Sequence, residues 1–240
     1  MSDNGFINLQ ELDLSFNQLV YISENIVDNY LKILSISYNP IGVYLLKITN
    51  PKGKLFNKLQ ILRVENTSLS QMPDNNLITD LNQSLPQTLQ VLDISGLNIT
   101  NLRSNILTCP HLKYLYMTRL YYLTRIGSYA FYYLNQIRSI HLDNCIRLNQ
   151  FNDLSFGIDK ISETYPDHTL IKLSFQNCAL TKLNRTLIHF LKRITYLNLY
   201  GNPWNCDCQL YQLFYEIFSR KTTFLSQQHR YKSNTSHSFK

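Results

Sequence analysis

The sequence predicts an α/β repeat solenoid, a curved horseshoe whose concave side is a parallel sheet. One apolar pattern returns at intervals of 22 to 33 residues along most of the chain, and a fixed period of this size is typical of stacked-repeat architectures. Within each copy, apolar and polar residues alternate over the length of a short strand. The composition agrees, because 44% hydrophobic and 16% charged residues are enough for a large buried core.

The repeat is clearest in its first copy, where Leu9–Leu19 fits L-x-x-L-x-L-x-x-N-x-L at every fixed position. Later copies begin at Leu31, Leu59, Leu89, Leu112, Ile137, Leu170 and Ile194. Each copy supplies one strand that cannot bury its apolar face alone and must stack on its neighbours. We therefore expect parallel strands in one curved sheet near residues 11–15, 33–37, 61–65, 91–95, 114–118, 139–143, 172–176 and 196–200.

The ninth position of each repeat is predicted to form a ladder of hydrogen-bonding groups between adjacent turns. Asparagine or cysteine occupies it in five repeats, at Asn17, Asn39, Cys145, Cys178 and Asn202. An amide at this position can bond the backbone of neighbouring turns. Thr67, Leu97 and Leu120 depart from the pattern, so we expect the ladder to be interrupted in the middle of the chain.

This pattern resembles the leucine-rich repeat. The segments Ser128–Leu134 and Asp153–Phe156 resemble the A-F-x-x-L turn of that family, which implies that Phe131 and Phe156 pack along the outer, convex side. Unrelated strands in an ordinary parallel α/β protein are excluded, because the strand starts recur too closely for full βαβ crossovers of about 30 residues or more.

The residues after the last repeat resemble a cap. Asn202–Leu210 reads N-P-W-N-C-D-C-Q-L and is similar to the start of the cysteine-flanked C-terminal cap of extracellular leucine-rich-repeat proteins, including Toll-like receptors and chaoptin-like adhesion proteins. Beyond it, one apolar helical face is predicted from the spacing of Leu210, Leu213, Phe214, Ile217 and Phe218. Such a helix suits the exposed end of a solenoid.

The resemblance implies that Cys206 and Cys208 form disulfides with two cysteines further downstream, in an oxidising compartment. Cys208 is the last of the five cysteines, so we interpret the chain as a piece of a longer protein. A bridge between Cys206 and Cys208 themselves would be strained. A metal site is disfavoured, because no second cysteine pair or suitably spaced histidine follows. Cys109, Cys145 and Cys178 are predicted to be buried free thiols.

These patterns divide the chain into three parts. We predict about eight leucine-rich repeats over residues 1–201, an incomplete cysteine-flanked cap over 202–226 and a disordered basic tail over 227–240. The N-terminus lacks the basic and apolar regions of a signal peptide, and no stretch approaches the ~18 apolar residues that cross a bilayer. Membrane attachment is therefore expected only through a missing downstream segment.

The net charge of +7 does not by itself indicate a nucleic-acid partner. Residues 1–219 carry 18 Lys and Arg against 16 Asp and Glu, a balance of +2, and the other five positive charges lie in residues 220–240. A phosphate-binding surface needs concentrated basic residues. The nearly neutral repeats therefore predict no nucleic-acid binding.

The sequence carries no motif of a catalytic or cofactor site that we recognise. It has no Gly-rich phosphate loop, no G-x-S-x-G and no H-E-x-x-H. His141 and Asp143 point the same way from one strand and could act as a general base and its orienter. We place no nucleophile beside them and interpret them as a polar pair on a binding surface. We predict no enzyme activity, no cofactor and no metal.

The concave face is the expected recognition surface of a curved solenoid. Its early repeats carry acidic and small residues, whereas repeats from Leu112 onward add tyrosine, arginine and histidine, of which Tyr and Arg are enriched in interface hot spots. The residues predicted to contact a ligand are Arg63, Glu65, Tyr114, Tyr116, Arg119, His141 and Asp143. The expected partner is a protein ligand or co-receptor.

Three functional classes compete: a cell-surface receptor or adhesion ectodomain, a secreted matrix or guidance protein, and an intracellular scaffold. The N-P-W-x-C-x-C segment disfavours the third. A transmembrane segment downstream would favour the first, and its absence the second. Glycosylation sequons, which belong to secreted proteins, occur at Asn66, Asn82, Asn98, Asn184 and Asn234, a number that chance alone would nearly supply.

Overall fold

The computed structural model describes residues 8–20, 30–41, 58–67, 85–157, 169–205 and 207–219. Asn82, Cys206 and the tail 227–240 lie outside the described residues, so the sequence expectations for them stay predictions. Among the described residues, no helix has the length and apolar character that crossing a membrane requires.

The described residues form two parallel sheets, with strands numbered along the whole chain. The larger sheet contains, in spatial order, β1 (Glu11–Asp13), β2 (Ile33–Ser35), β3 (Ile61–Arg63), β4 (Val91–Asp93), β6 (Tyr114–Tyr116), β8 (Ser139–His141), β10 (Lys172–Ser174) and β11 (Tyr196–Asn198). The smaller contains β5 (Asn101–Leu102), β7 (Arg125–Ile126) and β9 (Gln150–Phe151). Each strand of the larger sheet pairs with the strands of the preceding and following repeats.

The predicted solenoid is confirmed, because all eight expected strands are present and pair in parallel in one sheet. The central apolar residues stand directly opposite one another, as Leu12 does Leu34 and Leu173 does Leu197. Each strand has three residues where we expected five. Single hydrogen bonds continue the pairing, such as that from the Leu14 N–H to the Ser35 carbonyl at 2.8 Å, but the chain already turns away there.

The smaller sheet was not predicted. Its strands have two residues each, which is too short to show an alternating pattern in the sequence. It follows the ninth-position residue of three successive repeats, Leu97, Leu120 and Cys145. This second set of strands gives the middle repeats hydrogen bonding on a second side of the core.

The phenylalanines of the convex side pack as the family resemblance implied. The Phe131 and Phe156 rings lie 5.3 Å apart between centroids, and Phe156 stacks on Phe190 at 4.1 Å. All three side chains are buried. Aromatic pairs at these separations add about 0.5–1.5 kcal/mol beyond the area they bury, so the column joins successive turns along the outer side.

The ninth-position asparagines bond two turns of the solenoid at once. Asn39, 2% exposed, donates from Nδ2 to the Leu14 carbonyl of the preceding turn at 2.8 Å and to the Ile36 carbonyl of its own turn at 3.0 Å. Its Oδ1 accepts from the Leu19 N–H at 3.0 Å. One side chain therefore bonds three backbone groups that belong to two turns.

The cysteines at the ninth position form simpler rungs of the same ladder. The Cys145 Sγ donates to the Met117 carbonyl at 3.2 Å, and the Cys178 Sγ donates to the Leu142 carbonyl at 3.1 Å. Both thiols are buried and free, as predicted. Each one bonds the preceding turn, as an asparagine does, but a thiol is the weaker donor.

The expected interruption of the ladder is also present. Thr67 keeps one bond, from its hydroxyl to the Val64 carbonyl of the same repeat at 2.8 Å. Leu97 and Leu120 are 1% and 0% exposed. These two repeats therefore hold the position by apolar burial alone.

Two helices flank the last strand of the larger sheet. The first, α1 (Ile188–Arg193), comes directly before the final turn, and the second, α2 (Cys208–Phe218), lies against it. Asp207 caps α2, accepting from the Leu210 N–H at 2.8 Å. Leu210, Leu213 and Ile217 are buried, which confirms the apolar face predicted from their spacing.

The N-P-W segment ties α2 to the last strand. The Trp204 Nε1 donates to the Leu199 carbonyl at 3.1 Å, and its ring meets the Phe214 ring edge-on at 5.5 Å. Asn202 donates to the Phe175 carbonyl at 2.7 Å and accepts from the Leu180 N–H at 3.1 Å. The same segment therefore continues the ladder through Asn202 and covers the end of the core through Trp204.

The ladder predicts a graded cost of losing an asparagine. We expect Asn39→Ala to lower the free energy of unfolding by about 2–3 kcal/mol, because it takes this partner from the Ile36 carbonyl and the Leu19 N–H and removes an amide that joins two turns. We expect Asn17→Ala to cost about 1 kcal/mol or less, because Asn17 is exposed and bonds only its own repeat, at the Leu14 and Ser15 carbonyls. Urea unfolding followed by circular dichroism measures both, and equal losses would contradict a ladder that couples turns.

Candidate functional site

The eighth position of every repeat adopts a left-handed backbone, directly after the concave strand. These residues are Phe16, Tyr38, Asn66, Gly96, Arg119, Asn144, Asn177 and Gly201, with φ between 49° and 74°. Glycine and asparagine tolerate this conformation, whereas other side chains pay roughly 1–2 kcal/mol for it. Phe16, Tyr38 and Arg119 therefore hold bulky side chains at a strained position, which is a reason to look for a role there.

Tyr38 and Arg119 both contact Glu65, and Phe16 stacks on Tyr38. We call these four residues the strand-end cluster: Phe16, Tyr38, Glu65 and Arg119. Phe16 and Tyr38 stack with ring centroids 4.3 Å apart, and the Tyr38 hydroxyl donates to Glu65 Oε1 at 2.6 Å. This bond to a carboxylate raises the pKa of Tyr38. Arg119 forms an ion pair with the same carboxylate oxygen.

A glycine stands in the repeat between the two residues of the Arg119–Glu65 pair. Arg119 belongs to the fifth repeat and Glu65 to the third, so the guanidinium crosses the fourth repeat, whose eighth residue is Gly96. A Cβ on Gly96 would overlap the Oδ1 of Asn66. The absence of a side chain there lets the neighbouring repeats close over it, and the strand-end cluster spans repeats one to five.

A second group, the His141 cluster, consists of Tyr116, Ser139, His141 and Asp143. The Tyr116 and His141 rings stack at 4.9 Å with 16° between their planes. His141 Nδ1 lies 3.6 Å from Asp143 Oδ2, and His141 Nε2 lies 2.9 Å from the Ser139 hydroxyl. The two clusters adjoin, because the Arg119 N–H donates to the Asp143 carbonyl at 2.8 Å.

The expectation that no nucleophile lies beside His141 was wrong. Ser139 and His141 lie two residues apart on β8 and point the same way. Asp143 follows the end of the strand, and its carboxylate still approaches His141. The arrangement still lacks what acyl transfer needs. Ser139 is 6% exposed, and the N–H groups of Ser139 and Leu142 are already bonded to neighbouring carbonyls, so neither is free to stabilise an oxyanion.

Asp143 is held by the strand beside it. Ser174 donates its hydroxyl to Oδ1 of Asp143, and the Gln176 N–H donates to the same oxygen at 3.0 Å. Burial raises the pKa of Asp143, but these bonds and the one from His141 outweigh it and lower the pKa overall. Asp93 differs, because burial dominates there and raises its pKa despite the 3.0 Å bond from the Ser95 N–H.

Of the seven predicted ligand-contacting residues, the structure brings five together. Glu65 and Arg119 lie in the strand-end cluster, and Tyr116, His141 and Asp143 lie in the His141 cluster. Arg63 and Tyr114 are exposed on the same face but join neither cluster through a contact of their side chains. Whether any of the seven contacts a ligand stays a prediction.

The small residues that the sequence places on the concave face are buried there. Ser35, Ser37, Ser95, Ser139 and Ser174 are buried. Parallel strands lie about 4.8 Å apart, so a serine between larger neighbours is covered by them. Its hydroxyl then bonds the next turn, as the Ser37 hydroxyl does by accepting from the Glu65 N–H at 3.1 Å.

Phe16 and Tyr38 were missed by sequence reasoning. We counted only the alternating strand residues as facing the concave side, and the eighth position lies beyond them. The signal was nevertheless present, since an aromatic residue stands where five of the eight repeats have glycine or asparagine. Their exposure, 76% and 37%, places two large aromatic surfaces next to the predicted site.

The described sequons differ in accessibility. Asn184 is exposed, and its amide donates to Asp153 Oδ2 at 3.0 Å. Asn66 is half-buried against Gly96, and Asn98 is also half-buried. Asn184 is therefore the most accessible of the three.

The cysteines fall into two classes. Cys109, Cys145 and Cys178 are buried, and burial raises the pKa of Cys109 to about 12. The neighbouring Cys178 thiol and burial together raise the pKa of Cys145. Such thiols are inert at neutral pH. Cys208 is exposed and free, whereas its predicted disulfide with a downstream partner stays a prediction.

No group of three or more histidine, cysteine, aspartate or glutamate side chains within the described ranges is arranged to hold a metal ion.

The comparison with protein families fits this geometry. A family model described as "Leucine Rich repeat" matches residues 7–20, the first repeat, whose strand and left-handed turn recur in register through the larger sheet. The chain folds as a leucine-rich-repeat solenoid. A leucine-rich-repeat solenoid is generally a binding scaffold whose extended curved sheet serves as a protein-interaction surface.

Other comparisons are more distant. No curated protein matches the chain. Among solved structures, it is similar to a chain of the crystal structure of the mouse RP105/MD-1 complex, with 16% sequence identity and a TM-score of 0.34. That similarity covers 90% of this chain and 46% of the other, so the leucine-rich-repeat chain spans about half the length of that chain.

The two carboxyls of the concave face predict opposite effects of neutralisation. The pKa of Asp143 is lowered, so its ionised form stabilises the fold above its unfolded-state pKa, and that contribution is lost as pH falls through the folded-state pKa. The pKa of Asp93 is raised, so its contribution is present at low pH and lost as pH rises. Asp143→Asn should therefore destabilise the protein at pH 7, and Asp93→Asn should stabilise it.

Thermal unfolding of both variants at pH 7 and pH 3 checks these signs. The Asp93 difference should shrink at pH 3, because a carboxyl with a raised pKa is protonated there. The Asp143 difference should shrink as pH falls toward its lowered pKa. If both variants changed the stability in the same direction at pH 7, the opposite pKa shifts of Asp143 and Asp93 would be contradicted.

Accessibility predicts which sequon of the leucine-rich-repeat protein is modified on secretion. Asn184→Gln should remove one glycan when the chain is secreted from mammalian cells, seen as a mobility shift that glycosidase treatment abolishes. Asn66→Gln should leave the mobility unchanged, because the Asn66 amide packs against Gly96. A glycan lost from Asn66→Gln but not from Asn184→Gln would contradict the described packing.

Proposed function

We propose that this solenoid is the ligand-binding part of a cell-surface receptor or adhesion ectodomain, and that it binds a protein partner on its concave face. The observation that carries the proposal is the continuous surface formed by the strand-end and His141 clusters. It extends from Phe16 in the first repeat to Asp143 in the sixth. Exposed Tyr114 borders it.

The chemistry of this surface suits a protein partner. Interfaces are anchored by aromatic and arginine side chains that are already ordered before binding. Stacking orders Phe16 and Tyr38, and hydrogen bonding to Glu65 fixes Tyr38 and Arg119. A partner that docks here therefore loses little side-chain entropy on the solenoid's side.

The strained backbone supports the same role. Three repeats keep a bulky residue where glycine or asparagine would be more stable, at a cost of roughly 1–2 kcal/mol each. An exposed ion pair such as Arg119–Glu65 returns only about 0.2–1 kcal/mol. Stability alone does not account for these residues, whereas contact with a partner would.

The extracellular placement rests on the cap and on the surface. The N-P-W-x-C-x-C segment resembles the cap of extracellular relatives, and its tryptophan covers the end of the core as a cap residue would. Asn184 offers one exposed acceptor for a glycan. Both features are expected of a chain that passes through the secretory route.

The test uses the full chain with an added secretion signal and an antibody Fc fusion, applied to cells that each display one extracellular protein. We expect saturable binding to at least one displayed protein. Tyr116→Ala combined with Arg119→Gly should weaken that binding by roughly 2 kcal/mol or more, about thirtyfold. Glycine at position 119 relieves the left-handed strain, so the fold should persist and the midpoint of thermal unfolding should change little.

The matched control is Lys182→Ala, an exposed position after the eighth-position turn of the seventh repeat and away from both clusters. It should leave binding unchanged. Lys160, which we also place on the outer side, lies outside the described residues. Equal loss from both variants, or loss from Lys182→Ala alone, would move the site away from the concave face. A fusion that is retained in cells and never secreted would sink the extracellular placement.

A further inference from the structure

The charged side chains are sorted by their position within the repeat. Asp13, Glu65, Asp93 and Asp143 lie at or just after the C-terminal ends of the concave strands. The residues just before the strands instead include lysine and arginine. Because all strands of the larger sheet are parallel, residues at the same position in each repeat lie along the same edge of the solenoid. A nearly neutral set of repeats is therefore charged differently on its two edges.

The edge at the strand starts carries a single file of polar residues. The residues directly before the first six strands of the larger sheet are Gln10, Lys32, Gln60, Gln90, Lys113 and Arg138. Backbone hydrogen bonds link each to the next, from the Lys32 N–H to the Gln10 carbonyl at 2.8 Å through to the Arg138 N–H and the Lys113 carbonyl at 2.8 Å. With strands about 4.8 Å apart, the file from Lys32 to Arg138 is about 19 Å long.

Four cations form what we call the basic edge: Lys32, Lys58, Lys113 and Arg138. Lys58 lies two residues before Gln60 and completes the row in the third repeat. Lys32, Lys58 and Arg138 are exposed, and Lys113 is half-buried. Among the described residues, no carboxylate occupies the file itself, and Glu11, the first residue of β1, borders it.

Neutral neighbours contact the three lysines of the basic edge. Lys32 Nζ donates to Gln10 Oε1 at 3.0 Å, and Lys113 Nζ donates to Gln90 Oε1 at 3.1 Å. Lys58 Nζ lies 4.4 Å from the centre of the Tyr30 ring. These contacts order the ammonium groups without neutralising them.

The carboxylates of the opposite edge are largely occupied. Arg119 and Tyr38 bind Glu65, and the Asp93 carboxylate accepts from the Ser95 N–H. None of the ion pairs found among the described residues involves a cation of the basic edge. Its positive charge is therefore available to a ligand.

We propose that the basic edge binds a linear sulfated polysaccharide that lies across the strand starts. A narrow file of ordered cations with amides between them fits a chain that carries anionic groups along its length. A protein interface would need a central apolar anchor, whereas the exposed apolar side chains here lie elsewhere: Lys58 lies over the Tyr30 ring, and Ile171 continues the file beyond Arg138 at one end. The proposal rests on the proposed function only for the extracellular placement, where such polysaccharides occur.

The test measures binding of the full chain to surface-immobilised heparin at several salt concentrations. Lys113→Gln combined with Arg138→Gln should weaken binding on the order of tenfold, two exposed ionic contacts being lost. The slope of log Kd against log salt should fall by about two. Lys32→Gln combined with Lys58→Gln is the second pair and should act in the same direction.

The control is Arg103→Gln combined with Arg125→Gln, two exposed cations on or beside the smaller sheet. This control removes the same charge and keeps the basic residues of 220–240, so any contribution of that segment cancels. It should change binding by less than about twofold, which is near the neutral effect of most surface substitutions. Equal loss from the control and from both test pairs would overturn the basic edge as the site.

Two further probes test the ligand class. The chain should bind hyaluronan, which carries carboxylates but no sulfates, more weakly than heparin. Single-stranded DNA bound as tightly as heparin, with the same loss in the test pairs, would replace the polysaccharide by a phosphodiester. Heparin binding that survives while secretion or partner binding fails would sink the proposed function and leave this inference standing. The reverse result would sink this inference alone.

Discussion

The whole molecule depends on the hydrogen bonding of each turn to the next in a fixed register. No repeat has enough apolar surface to form a core by itself, so a turn is stable only when its backbone groups and its leucines meet those of its neighbours. Asn39 shows the coupling directly, since its one amide bonds carbonyls of two different turns. The register is equally strict in the strands, where Leu12 faces Leu34 and Leu173 faces Leu197. Every surface property of the solenoid follows from this stacking, because residues at the same repeat position form one continuous row.

The stacking also explains how far the sequence alone could predict the fold. The alternating leucines are a strong signal, because burial demands them in every repeat, and all eight concave strands could be located from them. The smaller sheet could not, since its two-residue strands have no room for alternation. Strand length was overestimated because the turn after each strand is specified by backbone conformation. A left-handed residue such as Arg119 has no mark in an apolar pattern.

The candidate site was predictable in part for related reasons. His141 and Asp143 were correctly expected to approach each other, because they lie two residues apart on one strand. Phe16 and Tyr38 were missed because they follow the strand, and only the structure reveals that Tyr38 bonds Glu65 and that Phe16 stacks on Tyr38. The charge of the surface was obscured by counting along the chain, since the total of +2 over residues 1–219 averages a basic edge with an acidic one. Grouping residues by repeat position would have separated the two.

The change in ladder chemistry along the solenoid has a consequence for its temperature response. The outer rungs at Asn39 and Asn202 couple turns through hydrogen bonds, whereas the middle rungs at Leu97 and Leu120 couple them through burial alone. Hydrophobic association weakens on cooling, so the rungs at Leu97 and Leu120 should lose relatively more of their free energy in the cold than the asparagine rungs, and the hydrogen bonds of the smaller sheet then matter more for the middle turns. On heating, the terminal turns should instead be the less stable ones, because they have a neighbour on one side only. The seam at which amide hydrogens first exchange should therefore move along the solenoid axis as temperature changes.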